Sequence, residues 1–267
     1  MNMRFMFSWV LLLIIGCGSA PKPTTYGGHA RQTYELGTEA LADGNYLDAN
    51  QHFTAVKNKY PYSQYAALAE LRIGDGHYAQ DKFVEAIGAY RAFVQRRPNH
   101  AEVPYALWRV GESYFQQRPS NFFLFPPGYE KDRSTTKDAV RSYTAYIKRF
   151  PKHAHVVEAQ KKLTICRTAL ADFQLYVAKF YIGQERPRSA VGRLNSVFVG
   201  FEDVPTRWKE ASVLLLDIYV RFGAPGAKEP MADAWTKADT VAQKIIAKYP
   251  KTEVAKVARR ALSRIAK

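Results

Sequence analysis

The sequence predicts an all-α chain, a superhelical solenoid of about five helix pairs closed by a C-terminal capping helix. Three observations predict it. The segments Tyr34 to Pro61 and Leu71 to Pro98 repeat each other with a single offset: Gly37, Ala49, Phe53 and Pro61 recur 37 residues later as Gly74, Ala86, Tyr90 and Pro98, and Gly111 lies another 37 beyond Gly74. Proline stands where helices must stop, at 61, 98, 151 and 250, because it lacks the backbone N–H and clashes with the preceding turn. Val156 to Tyr181 holds neither Gly nor Pro and reads as one long helix.

Composition agrees. The chain of 267 residues is 47% apolar and 13% aromatic, enough to bury a core and to exclude disorder. Two cysteines cannot build a disulfide scaffold or a four-thiolate zinc site. The formal charge of +15 calls for an acidic partner, whether nucleic acid, anionic lipid or protein.

The first element is an address. Arg4 is followed by the apolar run Phe5 to Ile15. A membrane-spanning helix needs about 20 apolar residues, so residues 1–16 read as a cleaved signal peptide. The cleavage region Ile14-Ile15-Gly16-Cys17 resembles a bacterial lipobox, with Ile14 where Leu is usual. That resemblance implies that Cys17 becomes the mature N-terminus and carries a covalent lipid. A thiolate is nucleophilic enough to take it as a thioether, and two or three acyl chains anchor firmly where one does not. Gly18, in place of the Asp of inner-membrane retention, favours the outer membrane. Residues 17–29 complete a lipidated tether whose Pro, Gly, Ser and Thr make it flexible, with a reach of about 20 Å.

The repeats follow in order and resemble the tetratricopeptide pattern, in which a small residue at position 8 lets helix A approach its neighbours and another at position 20 lets helix B cross it. Those small residues are Gly37 and Ala49 in repeat one, Gly74 and Ala86 in repeat two, and Gly111 and Ala139 in repeat three, while the gap-filling aromatics of the pattern are Tyr46 and Phe53, then Phe83 and Tyr90, then Tyr114, Tyr143 and Tyr146. Repeat three carries 16 extra residues, an insertion at 118–134 around Pro119 to Gly128. Its Phe122, Phe123, Leu124 and Phe125 either fold back over the repeat or face a partner or lipid. In repeat four the long helix turns at Arg186-Pro187 into a helix Ser189 to Val199. Repeat five pairs Trp208 to Phe222 with Met231 to Tyr249 across an extended turn from Gly223, and Thr252 is expected to cap a last helix ending near Ala266. Residues 30–155 and 156–267 form the expected N- and C-terminal halves.

No catalytic motif accompanies this pattern. GxxxxGK[ST], HExxH and GxSxG are absent. His153 and His155 form an isolated pair expected on the surface, Glu39 and Asp43 a solvated helix edge, and Cys166 a small buried core residue. The sequence predicts no enzyme, no metal and no cofactor beyond the lipid on Cys17. Basic residues are spread rather than interleaved with stacking aromatics, so nucleic acid is not expected, and anionic lipid and acidic protein surfaces are the better use of the charge.

Four features together resemble the BamD family, lipoproteins of the β-barrel assembly machinery. They are the lipidated tether; Asn58-Lys-Tyr-Pro-Tyr-Ser-Gln-Tyr65; the insertion running from Phe122-Phe123 to Asp132-Arg133 and Ala139; and Leu175-Tyr-Val-Ala178 with Ala190-Val-Gly-Arg-Leu194. The turn at Gly223–Pro230 and Gly192, where Asn is usual, depart from the family. The resemblance implies a non-enzymatic outer-membrane lipoprotein that faces the periplasm. Such a protein binds the barrel-forming subunit and other lipoprotein subunits and helps recognise unfolded outer-membrane proteins. Arg193 matches the family arginine that faces the barrel subunit, and Phe122, Phe123 and Phe125 are further partner-contact candidates. Tyr34, Leu71, Tyr78, Tyr105, Trp108 and Phe115 fall at positions that line the concave face, a groove for an extended substrate tail. The alternatives are a repeat-lipoprotein scaffold for peptidoglycan synthesis or other envelope partners, and a periplasmic hydrolase with a helical appendage.

Overall fold

The computed structural model describes residues 25–119, 132–224, 226–227 and 230–265. The signal peptide, Cys17 and Phe122, Phe123 and Phe125 lie outside the described residues. Among those described there are eleven helices and no strand: α1 (Tyr26–Ala42), α2 (Tyr46–Lys59), α3 (Gln64–Ala79), α4 (Phe83–Arg96), α5 (Val103–Gln116), α6 (Ser134–Arg149), α7 (Val156–Gly183), α8 (Pro187–Gly200), α9 (Pro205–Gly223), α10 (Ala234–Lys248) and α11 (Glu253–Ile265). They form the five expected pairs and the last helix.

The chain divides into two compact units, Met1–Ala69 and Glu70–Lys267, with the boundary inside α3. In the first, α1 packs on α2. Thr25 starts α1 by accepting the Gly28 N–H on its side-chain oxygen at 3.1 Å, so the last four residues of the expected tether are helical. Tyr26 packs edge-on against Tyr60 and accepts the Tyr62 N–H at 3.4 Å, which ties the start of α1 to the end of α2.

In the second unit each helix from α4 packs on the next. The first helices of successive pairs also touch, α5 with α7, α7 with α9 and α9 with α11. A pair leaves an apolar face that only the following pair covers, which is the stacking logic of repeat proteins. Trp208 shows it at close range: fully buried, stacked on Phe198 at 5.3 Å, with its indole N–H donated to the Phe198 carbonyl at 2.8 Å.

The glycines at position 8 do what the repeat requires. A Cβ on Gly37 would lie 2.8 Å from the Phe53 ring, one on Gly74 2.7 Å from Tyr90, and one on Gly111 2.7 Å from Tyr143. Each aromatic of helix B therefore rests on bare backbone of helix A. The turns within pairs also repeat: Gly44 and Asp81, 37 residues apart, both have positive φ, 77° and 57°. Glu185, at φ 55°, makes the same kind of left-handed turn in the α7–α8 pair.

Several element details differ from expectation. Helix α8 begins at Pro187 and α9 at Pro205, because proline suits a first helical turn. Helix α10 begins at Ala234 rather than Met231, after Asp233 turns left-handed at φ 55°. Before α11 the Thr252 hydroxyl donates back to the Tyr249 carbonyl at 2.7 Å, and the Thr252 carbonyl accepts the Ala255 N–H at 3.1 Å. Gly223 is needed for packing, since a Cβ there would sit 2.0 Å from the Trp235 ring.

Candidate functional site

Two of the sequence-predicted groove residues of the second unit, Tyr78 and Tyr105, belong to a network around a buried carboxylate, Asp75, that the sequence pattern does not mark. Asp75 follows Gly74 on α3 and is 8% exposed. It accepts the Tyr90 hydroxyl at 2.7 Å, the Tyr105 hydroxyl at 2.9 Å and an Arg72 Nη1–H at 2.5 Å. Arg109 on α5 lies 3.5 Å from it and donates to the Tyr90 oxygen at 3.1 Å. The Arg109 guanidinium rests 3.7 Å above the Tyr78 ring, and Gln116 donates to the Tyr78 hydroxyl at 3.2 Å. Burial, then the Asp75 charge, pushes the Tyr90 and Tyr105 hydroxyls well above their ordinary range, so both stay protonated donors. A guanidinium on a ring in this partly desolvated setting contributes about 1–2 kcal/mol.

One repeat on, the arrangement recurs with a longer acid. Glu112 follows Gly111, is 3% exposed, and accepts the Tyr143 hydroxyl at 2.6 Å and a bond from Lys162 of α7. Lys162 also donates to Glu158 at 2.7 Å. Burial opposes its charge, but the Glu112 and Glu158 bonds outweigh that and raise its pKa. Repeat one lacks the device: Thr38 follows Gly37 and donates to its own helix at Tyr34, and Phe53 has no hydroxyl. A Gly-acid pair with a tyrosine one helix later was therefore visible in the repeat register as a signal.

Among the predicted groove residues the structure separates two kinds. Leu71, Trp108 and Phe115 are buried, at 0%, 8% and 7% exposure, and fill the interior. Tyr78 and Tyr105 are half-buried and belong to the Asp75 and Arg109 network. Tyr34, in the first unit, is half-buried against Phe53 and Tyr65. The histidines expected on the surface are half-buried instead. His155 stacks on Trp108 at 3.8 Å between ring centres, and His153 shares a 2.6 Å hydrogen bond with the Tyr146 hydroxyl. Cys166 is fully buried and its thiol is pushed up to about 11 by burial, so it is chemically quiet.

The end of the insertion is anchored. Asp132 accepts the Ser134 N–H at 3.2 Å and its hydroxyl, which starts α6 and holds the carboxyl below its ordinary value. Arg133, 8% exposed, reaches α7, donating to the Ala169 carbonyl at 3.2 Å with its guanidinium 4.2 Å above the Phe173 ring. On α8, Arg193 is half-buried and donates to Gln174 of α7 at 3.3 Å. Among the described residues no group of three metal-ligating side chains forms, and no helix is long and apolar enough to cross a membrane.

The fold and this site define a helical-repeat protein that presents partly buried tyrosines and arginines over an apolar interior. The family description "Outer membrane lipoprotein", YfiO, matches residues 27–233, and the chain belongs to that family. Relatives include the outer membrane protein assembly factor BamD of Caulobacter vibrioides, 24% identical over 79% of this chain and 67% of that protein. The factor of the same name from Vibrio cholerae is 24% identical over 82% of this chain and 91% of its own length. Among solved structures, a tetratricopeptide repeat protein from Parabacteroides merdae covers 89% of this chain and 75% of its own at 13% identity, with a TM-score of 0.36.

Proposed function

We propose that the chain is a non-enzymatic subunit of the machinery that assembles β-barrel proteins into the outer membrane, held at that membrane by a lipid on Cys17 and facing the periplasm. The observation that carries the reading is the family match over residues 27–233, together with relatives from several organisms that are named outer membrane protein assembly factors. The chemistry fits an adaptor. The charged and tyrosyl groups described above hydrogen-bond to one another in fixed networks rather than converging on an empty reacting position, so their work is to shape a surface.

In this reading Tyr78 and Tyr105 of the second unit offer half-buried aromatic edges to unfolded barrel segments over the interior residues Leu71, Trp108 and Phe115, and Tyr34 offers such an edge by itself in the first unit. Arg193 meets the barrel-forming subunit. Phe122, Phe123 and Phe125 contact a further partner or lipid. Purification of the tagged chain from detergent-solubilised outer membranes tests this directly. The barrel-forming subunit should co-purify and be lost on Arg193→Glu. Its absence from the wild-type preparation would favour a scaffold for peptidoglycan synthesis instead.

A further inference from the structure

The positive charge of the chain is unevenly placed. Residues 25–69 carry three Lys and Arg against four Asp and Glu, whereas residues 234–265 carry eight against two. Part of that C-terminal excess is already neutralised: Lys244 and Lys248 bind Glu202, and Lys256 binds Glu253. Arg260 and Arg264 on α11 are exposed and have no acidic partner among the described residues. They stand on the rim of a groove of 340 Å³ between α9 and α11 whose floor includes Val213, Leu214, Val220 and Val257. Asp217, the one acid on its lining, is held by Arg221 at 3.0 Å. A second groove of 360 Å³ continues across α9, sharing Leu214, Asp217 and Arg221, toward Ile182 and Phe222. The α11 wall lies beyond residues 27–233, the stretch that matches the family.

Charge and shape together specify an occupant. Two guanidinium groups four residues apart on a helix are about 6 Å apart along its axis. Carboxylates at i and i+4 on a second helix have the same spacing. A concave apolar floor takes up protruding side chains, whereas a bilayer surface would need an apolar ridge. We propose that the α9–α11 groove docks an acidic amphipathic helix of a partner protein, its apolar side chains on Leu214, Val220 and Val257 and its paired carboxylates on Arg260 and Arg264. The inference rests on the reading of the chain as a subunit of a larger assembly and adds a docking site that is independent of Arg193.

The test uses the full-length lipoprotein in detergent and a fluorescent helical peptide about five turns long, with Leu along one face and Glu pairs at i and i+4 on its flank. Two companion peptides carry Gln or Lys in place of Glu. Fluorescence anisotropy should show the Glu peptide binding about tenfold more tightly than the Gln peptide, a preference that fades at high salt. R260E/R264E should reverse the order, so that the Lys peptide binds best, and Val257→Lys should weaken all three. Circular dichroism checks that both variants remain helical. Equal binding of the three peptides, no binding, or an unchanged preference in R260E/R264E overturns the proposal. So does competition by phosphatidylglycerol in the micelle with no charge preference, which makes the face a membrane contact, or self-association that R260E/R264E abolishes, which makes the occupant a second copy. Any of these leaves the assembly function standing if the barrel-forming subunit still co-purifies.

Discussion

Replacing Gly111 by Ala tests the packing logic of the repeat most sharply, because helix propensity and tertiary contact act in opposite directions. In an exposed helix interior the change is worth roughly 1 kcal/mol of added stability. Here the new methyl would lie 2.7 Å and 2.8 Å from two carbons of the Tyr143 ring. Normal carbon contact is about 3.5–4.0 Å, so the ring must retreat by about 1 Å. It has little room: Tyr143 is fully buried and its hydroxyl is tied to Glu112 at 2.6 Å, which Lys162 holds in turn. Overpacking of this kind costs about 1–3 kcal/mol, leaving a net loss of up to about 2 kcal/mol after the propensity gain. For a chain of this size that lowers Tm by up to about 8 °C. Gly88 of α4 has nothing within 4 Å of where its Cβ would be, so Gly88→Ala should raise Tm. Gly37→Ala should cost less than Gly111→Ala, since Phe53 has no hydroxyl tether and can yield. Urea and thermal unfolding followed by far-UV circular dichroism and tryptophan fluorescence measure all three. A Gly111→Ala chain as stable as Gly88→Ala would refute the reasoning.

Other expectations follow from the same contacts. Asp75→Ala removes the acceptor of two tyrosines and the charge facing the largely desolvated Arg109; the loss should be about 3 kcal/mol, read as a lower urea midpoint, and a loss below about 1 kcal/mol would mean that the network is solvated. Glu185→Gly should raise Tm by relieving about 1 kcal/mol of left-handed strain, and a fall in Tm would show that the Glu185 side chain contributes more than its backbone costs. Burial, with His155 as a second cause, holds His153 below the ordinary histidine value. The unfolded chain therefore takes up a proton that the folded chain resists. Stability is complete above about pH 6.5 and falls as pH drops through the lower folded value. Thermal unfolding at pH 7.5 and pH 5 should show the decline, and His153→Gln, which still offers Tyr146 a partner, should flatten it; an equal slope in both chains assigns the effect elsewhere. Cys166 should resist alkylation until the chain unfolds, and modification at native-state rates would show that its cover opens.

Much of the architecture was legible because one register ran through it. The offset of 37 put Gly37, Gly74 and Gly111 at the small-residue position of helix A, and the structure sets a ring of helix B against each. The long helix before Arg186-Pro187 was equally plain, lacking any residue that could break it. What escaped notice had competing local readings. Gly27 and Gly28 looked like tether, although Thr25 caps them into α1. Glu185 gives no turn signal, because its left-handed φ is imposed by the α7–α8 pairing and not by its own preference. Acids within helices are normally solvated, so Asp75 and Glu112 drew no attention alone; only Gly-acid followed by Tyr90 or Tyr143 in the same register marks them. His153 and His155 sit between Pro151 and a helix start, a place that suggests exposure. Trp108 and Tyr146 come to them from other helices, a contact that no local pattern encodes. Position in the repeat marked the tyrosines of the candidate groove but did not separate them from Leu71, Trp108 and Phe115, which the structure places in the interior.

If this chain supports assembly of outer-membrane β-barrels, its loss must lower the folded barrels of its host. The most direct test is to deplete it in its own host and quantify folded barrel proteins in the outer membrane by their heat-modifiable migration. Folded barrels should fall together, with unfolded precursors accumulating in the periplasm, and the wild-type chain should restore them while Cys17→Ala does so poorly. Undiminished barrel levels after complete depletion would contradict the account.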